Sequence, residues 1–126
     1  MLRACRALLK PGGRIAFATI YVAPGVSAQD YRRAARARGR GAASTRSVVD
    51  LLDAAGFVNV RELDVTKAFA RTTRAYFDTS KMLREALRAE WGAKTFDERL
   101  QNQHSTLALI KRGVLRRGIF TARRPN

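Results

Sequence analysis

Few residues in this sequence have both a reactive type and a telling position. His104 is the only histidine among 126 residues. It follows Leu100 by four positions and precedes Leu107 by three, so it shares one helical face with them. A neutral imidazole there could take a proton from a hydroxyl or an amine. With no second histidine and no carboxylate placed to orient the ring, a half-exposed structural role is the plainer account. Thr19 and Tyr21 stand near the end of an apolar run, at the carboxyl edge where open α/β sheets bind ligands. Tyr21 could equally pack against a neighbouring helix. Arg32, Arg36 and Arg40 recur at i, i+4 and i+8, which lays three guanidinium groups along one helical face. Cys5 is the only cysteine. Lying in an apolar stripe, it suits inert packing. No catalytic dyad stands out.

These residues exclude several classes. One cysteine forms no internal disulfide and no multi-cysteine metal cluster, so no metal is expected and a cytoplasmic location is. The apolar runs stop short of the roughly 18–20 residues that cross a bilayer, which argues against a membrane partner. Lys and Arg number 25 against 10 Asp and Glu, giving +15, and twenty of the basic residues are Arg. Residues 1–46 hold ten basic side chains and one acidic one. Such a field attracts polyanions, so a non-enzymatic basic module for nucleic acid or an acidic partner is the alternative reading. Tyr31 is the only aromatic in the arginine-rich stretch 28–46, which gives base stacking little support. A solvated charged face is the simpler account.

The pattern then predicts the elements that hold these residues. Leu2, Cys5, Leu8 and Leu9 are spaced as a helix, which Lys10-Pro11-Gly12-Gly13 ends. The run 14–22 (RIAFATIYV) reads as a strand covered on both faces. Residues 28–46 read as a short helix entering a loop at Gly39 and Gly41, with Tyr31 as its large anchor. Ser44 or Thr45 could cap the next helix, whose stripe is Val48, Leu51, Leu52 and Ala55. Residues 57–65 (FVNVRELDV) alternate as a half-buried strand, with an irregularity expected near Leu63. Thr66 would cap one long helix with the stripe Phe69, Thr73, Tyr76, Ser80, Leu83, Leu87 and Trp91, closed by Gly92. Thr95 and Glu98 form a capping box for another helix, with Phe96, Leu100, Leu107 and Ile110 buried. Gly113 ends it, and 114–122 (VLRRGIFTA) is the last strand.

Residues 8–20 (LLKPGGRIAFATI) and 47–66 (SVVDLLDAAGFVNVRELDVT) resemble the back half of a class I, Rossmann-like S-adenosylmethionine-dependent methyltransferase. The resemblance implies an α/β fold: a partial Rossmann-like methyltransferase sheet with its last three strands, the final one antiparallel between the other two. A helical insertion over 66–113 precedes that last strand. Residues 1–126 then form the C-terminal part of one methyltransferase domain, and 66–113 cover the acceptor side. The aromatic residues there, Tyr76 among them, could line a pocket for a flat or greasy acceptor, though a stripe at helical spacing is ordinarily core. The resemblance thus implies a small-molecule acceptor contacted by Thr19, Tyr21, Tyr76 and His104.

The donor half is missing from the pattern. In this family S-adenosylmethionine lies on a glycine-rich turn that follows a strand and opens a helix. Gly12-Gly13 precedes a strand instead, and Arg38-Gly39-Arg40-Gly41 has no strand before it. No cofactor-binding residue is therefore expected in this chain, and it should be inactive alone. Either Met1 is an internal start of a longer product, or a partner chain supplies the missing strands.

Overall fold

Helix α1 (Leu2–Leu8) stops at the proline–glycine turn. Gly12 takes φ +73°, a left-handed conformation that costs glycine nothing. The Gly13 amide closes the turn on the Lys10 carbonyl at 2.8 Å. The chain then enters β1 (Arg14–Val22), followed by α2 (Ala28–Arg38), α3 (Val48–Ala54), β2 (Val58–Asp64), α4 (Thr66–Met82), α5 (Arg84–Trp91), α6 (Ala93–Lys111) and β3 (Leu115–Arg123). This computed structural model describes residues 1–38 and 46–126. The expected loop at Gly39 and Gly41, the caps Ser44 and Thr45, and Arg40 lie outside the described residues.

The three strands form one sheet in the order β1-β3-β2, with β3 antiparallel to both neighbours. β1 and β2 therefore run parallel with the last strand between them, as the resemblance implies. The Ala23 amide donates to the Val114 carbonyl at 2.8 Å, and the Arg124 amide donates to the Gly13 carbonyl at 2.8 Å. Backbone groups of odd-numbered β1 residues thus face β3. Strand alternation points the amides of Ala16 and Ala18 the other way, along an edge that no strand pairs among the described residues.

Each face of the sheet buries its own cluster. On one, Phe120 and Ala122 meet Leu52, Ala55 and Phe57, with Ile15, Phe17 and Leu9 packed around them. On the other, Leu115 and Val114 meet Ala34, Phe69, Leu109 and Ile110. The second cover is partial. Ala16 and Ala18 are exposed, as are Ile119 (37%) and Leu63 (61%).

Several elements depart from expectation. The single long helix is two, α4 and α5, broken at Leu83 (φ −98°, ψ 21°). One straight helix over 66–91 would run about 39 Å, beyond the roughly 28 Å of the antiparallel α6. The break keeps α5 against α6. The Thr95 capping box does not form: the N-cap is Gly92 at φ +84°, three residues earlier, and no side chain caps the helix. Thr66 is the first helical residue, and its amide and hydroxyl donate to Asp64 Oδ1 at 2.9 and 2.5 Å. Ser47 caps α3, its hydroxyl accepting from the Asp50 amide at 3.0 Å. The β2 irregularity falls between Val58 and Arg61, where Asn59 takes φ 53°, a region asparagine tolerates better than most residues. Ala34 at 0% exposure, more than Tyr31, anchors α2.

Candidate functional site at the carboxyl ends of the parallel strands

A cavity of about 430 Å³ opens at the carboxyl ends of β1 and β2. Thr19 to Val22 of β1, the turn 23–26, Tyr31 at the start of α2, the N-terminal residues of α3, and Met1 and Leu2 at the start of α1 form its walls. Phe17, Phe120 and Glu62 line its sheet side. Phe17 and Phe120 face each other in the β1–β3 register and stack, with centroids 5.7 Å apart. Tyr21 meets Phe120 edge-on at 6.0 Å.

The polar centre of this cavity comes from the sheet register. Tyr21 pairs with Arg116, Thr19 with Gly118, and Phe17 with Phe120. On the other side of β3, Asp64 pairs with Gly118 and Glu62 with Phe120. Side chains two residues apart share a face, so Tyr21 and Glu62 sit diagonally across Gly118. The Tyr21 hydroxyl donates to Glu62 Oε1, spanning the central strand. Gly118 makes this possible. A Cβ there would lie 2.9 Å from Glu62 Oε1 and 2.9 Å from the Phe120 ring.

Burial, the hydrogen bond to Glu62, and the negative charges of Glu62 and Asp64 push the Tyr21 phenol up to about 12, with Arg116 opposing. Tyr21 is therefore a neutral donor at physiological pH. Thr19 also lines the cavity, its hydroxyl making only a long 3.5 Å contact to the Ile20 carbonyl.

The two other anticipated contact residues lie elsewhere. Tyr76 is 65% exposed on α4. His104 is exposed on α6, with its ring 5.7 Å from Phe77. The remaining aromatics of 66–113 serve packing: Phe69 and Phe96 are buried, and Arg99 covers the Trp91 ring at 4.4 Å. None of these residues lines either cavity described here.

The second cavity, about 780 Å³, is a groove between α2 and α6 bordered by Arg33, Arg36 and Arg112. Its charges are largely paired. Asp30 is shared by Arg33 at 3.5 Å and Arg112 at 3.0 Å, and Asp97 pairs with Arg88 at 3.2 Å.

Glu62 and Gly118 were not singled out by sequence. Glu62 read as one polar position of an alternating strand. Gly118 carried the signal, because a glycine inside a strand often marks a close approach of another group.

The glycine pair after α1 does not fit a methyl donor's phosphate-style cradle. The Gly12 amide bonds the Arg124 carbonyl at 3.0 Å, the Gly13 amide is used within the turn, and a Cβ on Gly12 would meet Asn126 at 2.8 Å. Among the described residues, no three or more His, Cys, Asp or Glu side chains cluster to hold a metal, and no helix is long and apolar enough to cross a membrane.

Solved structures share this fold. A putative sarcosine dimethylglycine methyltransferase from Galdieria sulphuraria matches 98% of the chain at 13% identity, with a TM-score of 0.84. Phosphoethanolamine N-methyltransferase 2 of Haemonchus contortus, in complex with S-adenosyl-L-methionine, matches 99% at 16% identity with a TM-score of 0.82. A cyclopropane synthase of Mycobacterium tuberculosis matches 98% at 13% identity with a TM-score of 0.78. The chain spans 46%, 29% and 48% of those three chains. No protein-family model and no curated protein matches the sequence. The chain's fold is therefore that of a part of these solved structures.

Proposed function

We propose that this chain is the acceptor-side portion of an S-adenosylmethionine-dependent methyltransferase acting on a small molecule. The sheet order carries the reading: an antiparallel last strand between two parallel ones, with an open edge on β1. The exposed Ala16, Ala18, Ile119 and Leu63 support it, since further strands and helices along that edge would cover them. The cavity at the strand ends is where the acceptor sits, with Thr19 and Tyr21 in contact. Methyl transfer is an in-line displacement, so the protein mainly positions its reactants. A conspicuous dyad is not needed. Donor-binding strands come from a longer product or from a partner chain.

The test joins these 126 residues to a donor-binding half, in one chain or two, and supplies tritiated-methyl S-adenosylmethionine with a small-molecule extract. Label is expected in low-molecular-weight products. Label confined to RNA or protein would refute the small-molecule acceptor, and no label at all would refute methyl transfer. The isolated chain should show no heat on titration with S-adenosylmethionine, and micromolar binding would overturn the assignment of the donor site elsewhere.

The exposed Arg32, Arg33, Arg36 and Arg38 of α2 favour the second reading, a basic module for nucleic acid or an acidic partner. That reading expects retention on heparin with a salt slope that flattens when Arg32 and Arg36 become Gln. An unchanged slope removes it.

A further inference from the structure

We propose that the cavity at the strand ends selects an organic ammonium cation, bound against the Glu62 carboxylate and the surrounding aromatic rings. This deepens the proposed function by naming the acceptor's chemical class. It rests on that function only for the word acceptor. Glu62 is the acidic side chain on the cavity wall. Tyr21 fixes it by donating its hydroxyl across Gly118. The arrangement is built in, because any side chain at position 118 would push against Glu62 at 2.9 Å. Tyr21 keeps its proton up to about pH 12, so it orients the carboxylate without adding a charge of its own. Phe17, Tyr31 and Phe120 complete the wall. Phe120 is 2% exposed and stacked on Phe17, so the accessible rings are those of Phe17 and Tyr31, whose faces carry negative potential and attract an alkylammonium within about 6 Å.

The rest of the chain works against a cation. It carries +15, and Arg46 also lines the cavity. The long-range part of that field is screened over about 8 Å at physiological salt, while Arg46 opposes a cation within the cavity itself. Selection therefore has to occur at contact, where a positioned carboxylate and desolvated rings act. An anionic ligand would meet Glu62 head-on, and a neutral one would add no opposite charge to the carboxylate that Tyr21 holds.

Two probes of one shape separate these cases. The 126-residue protein is titrated with choline and with 3,3-dimethylbutan-1-ol, its neutral isostere, following aromatic-ring and β1 amide signals by NMR. Choline is expected to bind about 10-fold more tightly, equivalent to about 1.4 kcal/mol. Glu62→Gln, which keeps the side chain's shape at an exposed position, should abolish that preference. Gly118→Ala should do the same by displacing the carboxylate. Equal binding of the two probes overturns the proposal, as does a preference unchanged in Glu62→Gln, or inorganic phosphate competing with choline at the same signals. Choline preference without methyl transfer in the tritium assay sinks the enzymatic reading and leaves this one. Label in neutral acceptors, with no choline preference, does the reverse.

Discussion

Gly118→Ala isolates the contact on which the site is built. Gly118 has no left-handed φ, so alanine fits its backbone and should gain about 0.4–1 kcal/mol by restricting the unfolded chain. Two collisions oppose that gain. The new methyl would lie 2.9 Å from Glu62 Oε1, and 2.9 and 3.1 Å from two atoms of the Phe120 ring. Phe120 is 2% exposed and held by Phe17 and Tyr21, so it has little room to withdraw. Overpacking of this kind costs about 1–3 kcal/mol. Glu62 is exposed and can swing out, but then the Tyr21 hydrogen bond is lost, about 0.5–1.5 kcal/mol before solvent compensates.

The net expectation is a destabilisation of about 1–2 kcal/mol, measured by urea unfolding of the wild type, both single variants and the pair. Glu62→Ala removes one collision in advance, so Gly118→Ala should cost about 1 kcal/mol less in that background. The coupling is the informative quantity. A Gly118→Ala variant as stable as the wild type, or effects that add with no coupling, would refute the claim that Glu62 lies over the glycine.

Three further outcomes follow from the same geometry. The Tyr21 phenol is raised in the folded state, so its contribution to stability is complete below pH 10 and lost as pH rises through about 12. The ultraviolet tyrosinate signal lost in Tyr21→Phe should therefore centre near pH 12 and move down in Glu62→Gln; a midpoint at the ordinary value would contradict the pairing with Glu62. Asp64 is held below its ordinary range, chiefly by the Thr66 hydroxyl and then the Thr66 amide. Its stabilisation is present above the unfolded pKa and fades as pH falls through the lower folded value, so Asp64→Asn should flatten the acid limb of a urea-midpoint profile, and overlapping limbs would show that the two Thr66 hydrogen bonds contribute nothing. In hydrogen exchange, the amides of Ala16 and Ala18 should exchange at least about 100-fold faster than those of Phe17 and Thr19, because only the latter face β3; protection without that alternation would mean the edge is covered.

The elements legible from sequence were those set by a local rule. β1 falls on the apolar run 14–22 with its bounds unchanged, because Pro11-Gly12-Gly13 and Pro24-Gly25 punctuate it at both ends. The placement of β3 followed from the resemblance carried by the LKPGG and AGF turns. Where tertiary packing decides, the pattern misled. Nothing in residues 80–86 is a glycine or proline, yet the helix breaks at Leu83 because α6 is too short to support a straight continuation. The site was half legible. Thr19 and Tyr21 follow from the rule that ligands gather at strand carboxyl ends, and both line the cavity. Glu62 could not be paired with Tyr21 without knowing that β3 enters between their strands and that glycine stands at the crossing.

The open edge and the excess of arginine bear on each other. β1 presents outward-facing amides beside the exposed apolar surface of Ala16, Ala18, Ile119 and Leu63. Proteins usually blunt such an edge with lysine, proline or a bulge inside the strand. Here the only charge in β1 is Arg14 at its first position, and Pro24 lies past its end. What opposes pairing between copies is long-range repulsion from a charge of +15, and salt weakens it: the screening length falls from about 30 Å at 0.01 M to about 3 Å at 1 M. A strand laid along β1, whether from a longer product or another chain, meets the edge's hydrogen-bonding need directly, and a helix attached to it would cover the bare face. The same step places new groups beside the strand ends, next to the cavity that holds Glu62. On the proposed function, completing the sheet would also complete the site.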